Sequence, residues 1–172
     1  MSSNLDLVRS IYADWERGDY QSAYWAHPEI TYTYVGGPSP GRWTGLSAMA
    51  EGFRDWFSAW EGARTRVDQY RELDGERVLV LHRFSGGRGK KSGVELGDLD
   101  TGGAGVFRVC DGKVIELVMY WDCNRALADV GFEEQAAPRN PRCPTWRRRF
   151  SLDARPLPTP HARGLGPFFH AE

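Results

Sequence analysis

Leu5, Val8, Tyr12 and Trp15 recur at helical spacing, which predicts an amphipathic helix capped by Ser3 or Asn4 and ended by Gly18. A short second helix is expected over residues 19–25. It must stop near His27, because Pro28 disfavours a helical residue before it. Residues 30–35 are β-branched and aromatic and read as the first strand. The Gly36-Gly-Pro-Ser-Pro-Gly41 run then breaks the chain, and Leu46, Met49, Phe53, Trp56, Phe57 and Trp60 mark one face of a third helix that Gly62 stops. Further strands are expected over 64–73, 77–85 and 105–110. Asp111-Gly112 signals a hairpin into a last strand over 113–121, and a final helix over 124–130 ends at Gly131. Helices first and consecutive antiparallel strands afterwards imply an α+β fold, not a doubly wound sheet.

Alternation along the last strand puts Ile115, Leu117, Met119 and Trp121 on one face and Glu116, Val118, Tyr120 and Asp122 on the other. Both sets are rich in apolar groups. One face is therefore expected to line a core or pocket, and the other to pack on a helix or on a second subunit, which points to a homodimer through the sheet. The strand over 77–85 behaves similarly, with Val78, Val80, His82 and Phe84 together and Leu79, Leu81 and Arg83 opposite.

Composition narrows the class. The chain has 172 residues with a net charge of −1, 41% hydrophobic and 26% charged, as expected of one globular domain. Neither a strongly basic nucleic-acid binder nor an acidic disordered chain fits those totals. No apolar run approaches the roughly 20 residues that span a bilayer, and the first residues lack the basic and apolar stretches of a secretory signal, so no membrane contact and a cytoplasmic location are expected. Cys110, Cys123 and Cys143 form no CxxC pair, and reduced thiols are the expectation. Composition then changes near Ala136. Residues 137–172 hold seven of the ten prolines and seven arginines against Asp153 and Glu172, which leaves the tail at +5 and residues 1–136 at −6. Proline at this density reads as an irregular or disordered extension, separate from a folded domain at 1–136. Within the tail, Arg147, Arg148 and Arg149 beside Trp146 offer the one contact with nucleic acid the sequence suggests, and a solvated charge run is the plainer reading.

The helix–helix–strand–helix–strands order, the string Gly105-Val-Phe-Arg-Val-Cys-Asp-Gly-Lys-Val, the Tyr120-Trp-Asp122 motif and the segment 127–131 together resemble the SnoaL-like domain of the nuclear transport factor two superfamily. His27-Pro28 and Gly41-Arg-Trp-Thr-Gly45 fit it as well, so the resemblance spans about residues 4–132. It implies a cone formed by a curved, mostly antiparallel sheet wrapped on the long N-terminal helix, with an apolar cavity open at one end. Such domains include polyketide cyclases, ketosteroid isomerases, epoxide hydrolases and dehydratases, besides proteins that catalyse nothing. The resemblance also leaves gaps. Met119 stands where the cyclases and epoxide hydrolases place a catalytic aspartate, and Gly105 where a histidine or a carboxylic acid would point inward. The isomerase base would fall near Thr33 and its oxyanion tyrosine near Ile11, with Tyr12 next door. His82 and Phe84 stand where the epoxide hydrolases place an arginine and an aspartate, so His82 alone of the two is titratable.

His82 is thus the candidate acid or base, since imidazole titrates near neutral pH and its parity puts it on the cavity face. A structural hydrogen bond to Thr33 or to a backbone carbonyl is the other reading. Asp122 is a second catalytic candidate, unless it caps the last helix. The expected pocket is lined by Tyr12, Trp15, Thr31, Thr33, Trp60 and Phe84, and on the last two strands by Phe107, Leu117, Met119 and Trp121, with Thr31, Thr33 and Tyr12 orienting a ligand oxygen. Trp15, Trp56, Trp60 and Trp121 form either a flat-sided box or ordinary core. The Gly86-Gly-Arg-Gly-Lys-Lys-Ser-Gly93 loop lacks phosphate-loop spacing and reads as a connector. No metal or nucleophile-elbow motif is present. The expected function is binding of an apolar, polyketide-, terpenoid- or steroid-like molecule. Any chemistry would be that of a cofactor-free lyase, isomerase or cyclase, and the alternative is a non-catalytic carrier or dimerisation module.

Overall fold

In the computed structural model, which describes residues 3–37, 39–85, 87–90, 92–93 and 102–132, Val8, Ile11, Tyr12 and Trp15 are all buried on one face of helix α1 (Ser3–Glu16). Gly18 follows at φ 89°, the left-handed conformation that ends helices and that glycine adopts without strain. No second helix forms after it. The Asp19 carboxylate accepts the backbone N–H groups of Gln21 and Ser22 at 3.1 and 3.2 Å, and this local turn competes with helical bonding over 19–25.

Strand β1 (Ala26–Val35) begins earlier than expected and pairs with β2 (Gly41–Thr44), a strand the glycine–proline run conceals in the sequence. Between Ala26 and Thr31 the register of β1 slips, in the stretch where Pro28 has no N–H to give the ladder. Helix α2 (Leu46–Ser58) buries Met49, Gly52 and Trp56. Then come β3 (Trp60–Glu61), β4 (Arg64–Glu72), β5 (Arg77–Ser85), β6 (Arg88–Gly89), β7 (Gly102–Cys110), β8 (Lys113–Tyr120) and helix α3 (Cys123–Asp129). Six strands form one mixed, unclosed sheet in the order β2-β1-β8-β7-β5-β4. Only the β1–β8 pair in it is parallel. The β7–β8 hairpin turns at Asp111 and Gly112, with φ 49° and 71°, as the Asp-Gly signal predicts. The pair β3–β6 makes a separate two-stranded clasp from Trp60–Glu61 and residues of the glycine-rich loop. Gly86 and Lys91 of that loop, and the tail expected at 137–172, lie outside the described residues.

The sheet has two apolar faces, as alternation along β5 and β8 implies. Its inner face packs Ile30, Tyr32, Val80, Phe107, Val114 and Leu117 against α1 and α2. Each large apolar side chain buried this way contributes roughly 1.5–3 kcal/mol. The outer face packs Leu79, Leu81, Ala104, Val106 and Tyr120 against Cys123, Ala126 and Leu127 of α3. One detail of parity differs. Between Arg108 and Val109 the β7–β8 register shifts, so Val114 takes the inward place expected for Ile115. Cys110 is a free, exposed thiol. Cys123 is disulfide-bonded, which corrects the expectation of reduced thiols at that position, and Cys143 lies outside the described residues. No helix among the described residues is long and apolar enough to cross a membrane.

Asp122 is exposed and is the N-cap of α3, where its carboxylate accepts the Asn124 N–H at 2.9 Å. Replacing Asp122 with Ala is expected to lower stability by about 1 kcal/mol in urea unfolding and to leave ligand binding unchanged. Lost binding with unchanged stability would contradict the capping role.

Candidate functional site: an aromatic cavity above a buried Tyr–His pair

Strand β5 turns Val78, Val80 and His82 inward, and β7 lays a glycine opposite two of them: His82 pairs with Gly103, and Val80 with Gly105. Those glycines make the site possible. A Cβ on Gly105 would stand 2.8 Å from the Tyr12 hydroxyl and 3.2 Å from the Met119 sulfur. A Cβ on Gly103 would stand 2.7 Å from His82 Nε2 and 2.9 Å from the Tyr120 carbonyl oxygen. The position that lacks a side chain in the sequence is therefore filled by the phenol of Tyr12, reaching across from α1.

Tyr12 Oη and His82 Nδ1 are 3.0 Å apart, and both side chains are fully buried. Burial drives the His82 pKa down to about 4, against the weaker opposing pull of the Asp68 carboxylate. Asp68 is itself held by Arg83, whose Nε and Nη2 donate to its two oxygens at 2.7 and 2.6 Å. Burial, together with Tyr70 and Tyr20, raises the Tyr12 pKa well above the ordinary phenol value. The pair thus rests as neutral imidazole and neutral phenol. A Tyr12 O–H donated to Nδ1 leaves one polar group unpaired, the Nε2–H. The reverse arrangement would leave both Nε2 and the phenolic proton unpaired, so the first is favoured. As a proton acceptor, His82 works through Nδ1 and hence through Tyr12.

Above the pair, between α2 and the inner sheet, lies a cavity of about 20 Å³, room for roughly one water. Its walls are Trp15, Tyr20, Tyr32 and Tyr34, then Phe53, Trp56 and Phe57 of α2, with Thr65, Phe84 and Met119 below. Among the described residues, no charged side chain lines it. The rings are layered: Tyr32 stacks on Phe53 at 4.7 Å and 10°, and Trp43 stacks behind Tyr32 at 5.2 Å. Gly52 allows that layering, since a Cβ there would meet the Trp43 ring at 2.8 Å. Met119 and Phe84 form the partition between cavity and pair. Phe84 packs edge-on against the His82 ring at 5.3 Å.

Burial raises the Tyr34 hydroxyl pKa, and the adjacent Trp56 indole N–H draws it part of the way back. Tyr34 Oη and Trp56 Nε1 are both buried with no partner, as are Trp60 Nε1 and His82 Nε2.

Of the residues expected around a pocket, Trp15, Phe84 and Met119 line the cavity, whereas Tyr12, Phe107 and Leu117 are solid core. Trp60 and Trp121 stack on each other at 6.3 Å, and Trp121 on Phe84 at 6.1 Å, at the cavity's edge. Thr31 and Thr33 point to the outer face, paired with Glu116 and Val118, because Ile30, Tyr32 and Tyr34 take the inward places. Their expected role in orienting a ligand is corrected accordingly, and the partner of His82 is Tyr12, not Thr33. Tyr20, Tyr32, Tyr34, Phe53, Phe57 and Thr65 join the wall without having been expected there. The larger apolar area of Tyr32 and Tyr34 over Thr31 and Thr33 was the available signal. Among the described residues, no group of three or more His, Cys, Asp or Glu side chains is placed to hold a metal ion.

The family model of the SnoaL-like domain matches residues 8–117. The chain belongs to this family. No curated protein matches it. Among solved structures, a nuclear transport factor two-like protein from Burkholderia thailandensis is similar, with 22% identity, a TM-score of 0.59, and coverage of 69% of this chain and 90% of that one. A Xanthomonas campestris protein assigned as a polyketide cyclase is 20% identical with a TM-score of 0.52, covering 75% and 97%. TerC, co-crystallised with polyporic acid, is 17% identical with a TM-score of 0.59, covering 75% and 98%. At these identities the likeness is one of fold. The SnoaL-like domain here has Met119 in the cavity wall and the Tyr12 hydroxyl filling the place beside Gly105.

A folded-state pKa of about 4 for His82 against 6.5 in an unfolded chain means the unfolded chain takes up the proton first as pH falls. The stability from burying neutral His82 is complete above pH 6.5 and is lost down to about pH 4. Between pH 7 and pH 4 the wild-type protein should lose about 3 kcal/mol more than a His82→Gln variant in denaturant unfolding. Equal losses in the two proteins would contradict a buried neutral imidazole.

Proposed function

We propose that this domain binds a neutral, flat, apolar small molecule, polyketide-, terpenoid- or steroid-like, in the aromatic cavity of the cone. The observation that carries the reading is the cavity wall itself: stacked rings and, among the described residues, no charged side chain. The family assignment and a structural neighbour co-crystallised with polyporic acid support a small-molecule role. In its resting form the cavity is closed down to the size of a water, so entry requires ring displacement. Phe53 and Phe57, half-buried on α2, are the rings whose displacement would open it.

A proton from a bound molecule reaches His82 Nδ1 by way of the Tyr12 hydroxyl, and only where Met119 or Phe84, which separate the pair from the cavity, moves aside. An imidazole with a pKa of about 4 is a weak base. That observation favours the second reading, a carrier that binds without turnover, unless the ligand itself stabilises the imidazolium.

Titrations of tryptophan fluorescence with emodin, progesterone and geraniol test the proposal. Saturable binding of at least one is expected, weakened about tenfold or more by Phe57→Lys, which puts a charge in the apolar wall. No saturable binding of any of the three, or binding indifferent to Phe57→Lys, would contradict it.

A further inference from the structure

Cys123 opens helix α3 and is 4% exposed, packed in the outer cluster with Ala126, Leu127 and Tyr120. Its sulfur is disulfide-bonded. The chain has two other cysteines, Cys110 and Cys143. Cys110 is a free thiol, and the fold also keeps it out of reach. The eight residues of β8 lie between Cys110 and Cys123 and, at roughly 3.3 Å each, hold them more than ~20 Å apart. The Cα atoms of bridged cysteines are only about 4.4–6.8 Å apart. Within one chain, Cys143 is the cysteine that remains. It follows Phe132 by eleven residues, an extended reach of up to roughly 36 Å. The Phe132 N–H bonds to the Leu127 carbonyl at 2.8 Å, so the chain leaves from the end of α3, and that helix is seven residues, about 10 Å, long. The chain is therefore long enough to return to the first residue of α3. Charge favours the return, since residues 137–172 carry +5 and residues 1–136 carry −6, with the exposed Asp122 beside Cys123.

We infer that Cys123 and Cys143 form a redox-responsive clasp, which ties the C-terminal segment to the head of α3 and holds this helix on the outer face of the sheet. A seven-residue helix has little stability of its own, since isolated helices shorter than ~12–15 residues are marginal in water. What holds α3 is its Asp122 cap and three buried side chains, Cys123 among them. A bond that closes the loop 123–143 restricts the unfolded chain and so adds to that hold. The clasp closes when its two thiols give two electrons to a small disulfide such as oxidised glutathione. The Sγ–Sγ bond forms, the glutathione S–S bond breaks, and the two protons leave on two glutathione thiols. A dithiol reductant reverses the step.

Mass mapping of the full chain tests the pairing. Trypsin leaves the three cysteines in separate peptides, 109–113, 114–125 and 143–147. After incubation with oxidised glutathione and alkylation in denaturant, the label should fall on Cys110 alone, and peptides 114–125 and 143–147 should be joined. The protein should run as a monomer on a non-reducing gel, and dithiothreitol should expose all three thiols to the label. A bridge to Cys110, glutathione left on Cys123, an unbridged Cys123 thiol or a covalent dimer would each overturn the inference. Amide hydrogen exchange then reads the hold on α3. The N–H groups of Ala126, Val130 and Phe132, which bond within and just after the helix, should exchange about tenfold faster or more in the reduced protein and in Cys143→Ser, while those of β1 stay unchanged. Equal α3 exchange in oxidised and reduced wild-type protein would contradict the clasp, whether or not the variant folds.

Discussion

The hydrogen bond between Tyr12 and His82 organises the inner face of the cone. It joins the first helix to β5, one strand in from the β4 edge of the sheet, and it fits only because β7 carries Gly103 and Gly105 where side chains would collide with the imidazole and the phenol. Burial on this scale removes the imidazole from its ordinary role as a group that titrates near neutrality. The pair is then a neutral, apolar-flanked floor, and Met119 and Phe84 lie between it and the open space. A carboxylate or histidine at either of the two vacated positions would place a charge or a base against the cavity. A thioether and a phenol in those places leave an uncharged surface. The cavity wall therefore presents no charge to a neutral molecule, and the Tyr12–His82 pair is screened from the open space by Met119 and Phe84.

The outer side of the same sheet depends on the same strands. Residues that alternate with the inward set on β5, β7 and β8 form a second apolar cluster with α3, and Asp122 starts that helix. Asp122 thus serves the outer cluster, two residues beyond β8, while Met119 on the same chain segment serves the cavity. A short stretch of sequence supplies both the partition of the site and the cap of its covering helix.

Much of this was legible in the chain. The spacing of Val8, Tyr12 and Trp15, the alternation of Val78, Val80 and His82 and the Asp111-Gly112 turn each rest on one local rule, and the family resemblance rests on strings the strands display intact. What escaped was set by contacts distant in sequence. Tyr12 and His82 are 70 residues apart, and nothing local marks them as partners. The parity of β1 is ambiguous by propensity, since Thr31 and Thr33 are as β-prone as Tyr32 and Tyr34; the larger apolar area of the tyrosines is the local signal, and packing on Phe53 and Trp43 turns Tyr32 inward. The shift of Ile115 comes from a register slip opposite β7, and the strand at Gly41–Thr44 exists because β1 offers it an edge. The absent helix over 19–25 yielded to a side-chain hydrogen bond that propensity does not register.

The most direct test of this account is nitrogen NMR of the His82 imidazole in the folded protein between pH 7 and pH 5. The account predicts the shifts of a neutral ring throughout, with the proton on Nε2 and Nδ1 accepting from Tyr12, and a change in the Nδ1 shift when Tyr12 is replaced by Phe. A ring that charges with a midpoint near 6.5 in the folded protein, or that carries its proton on Nδ1, would contradict it.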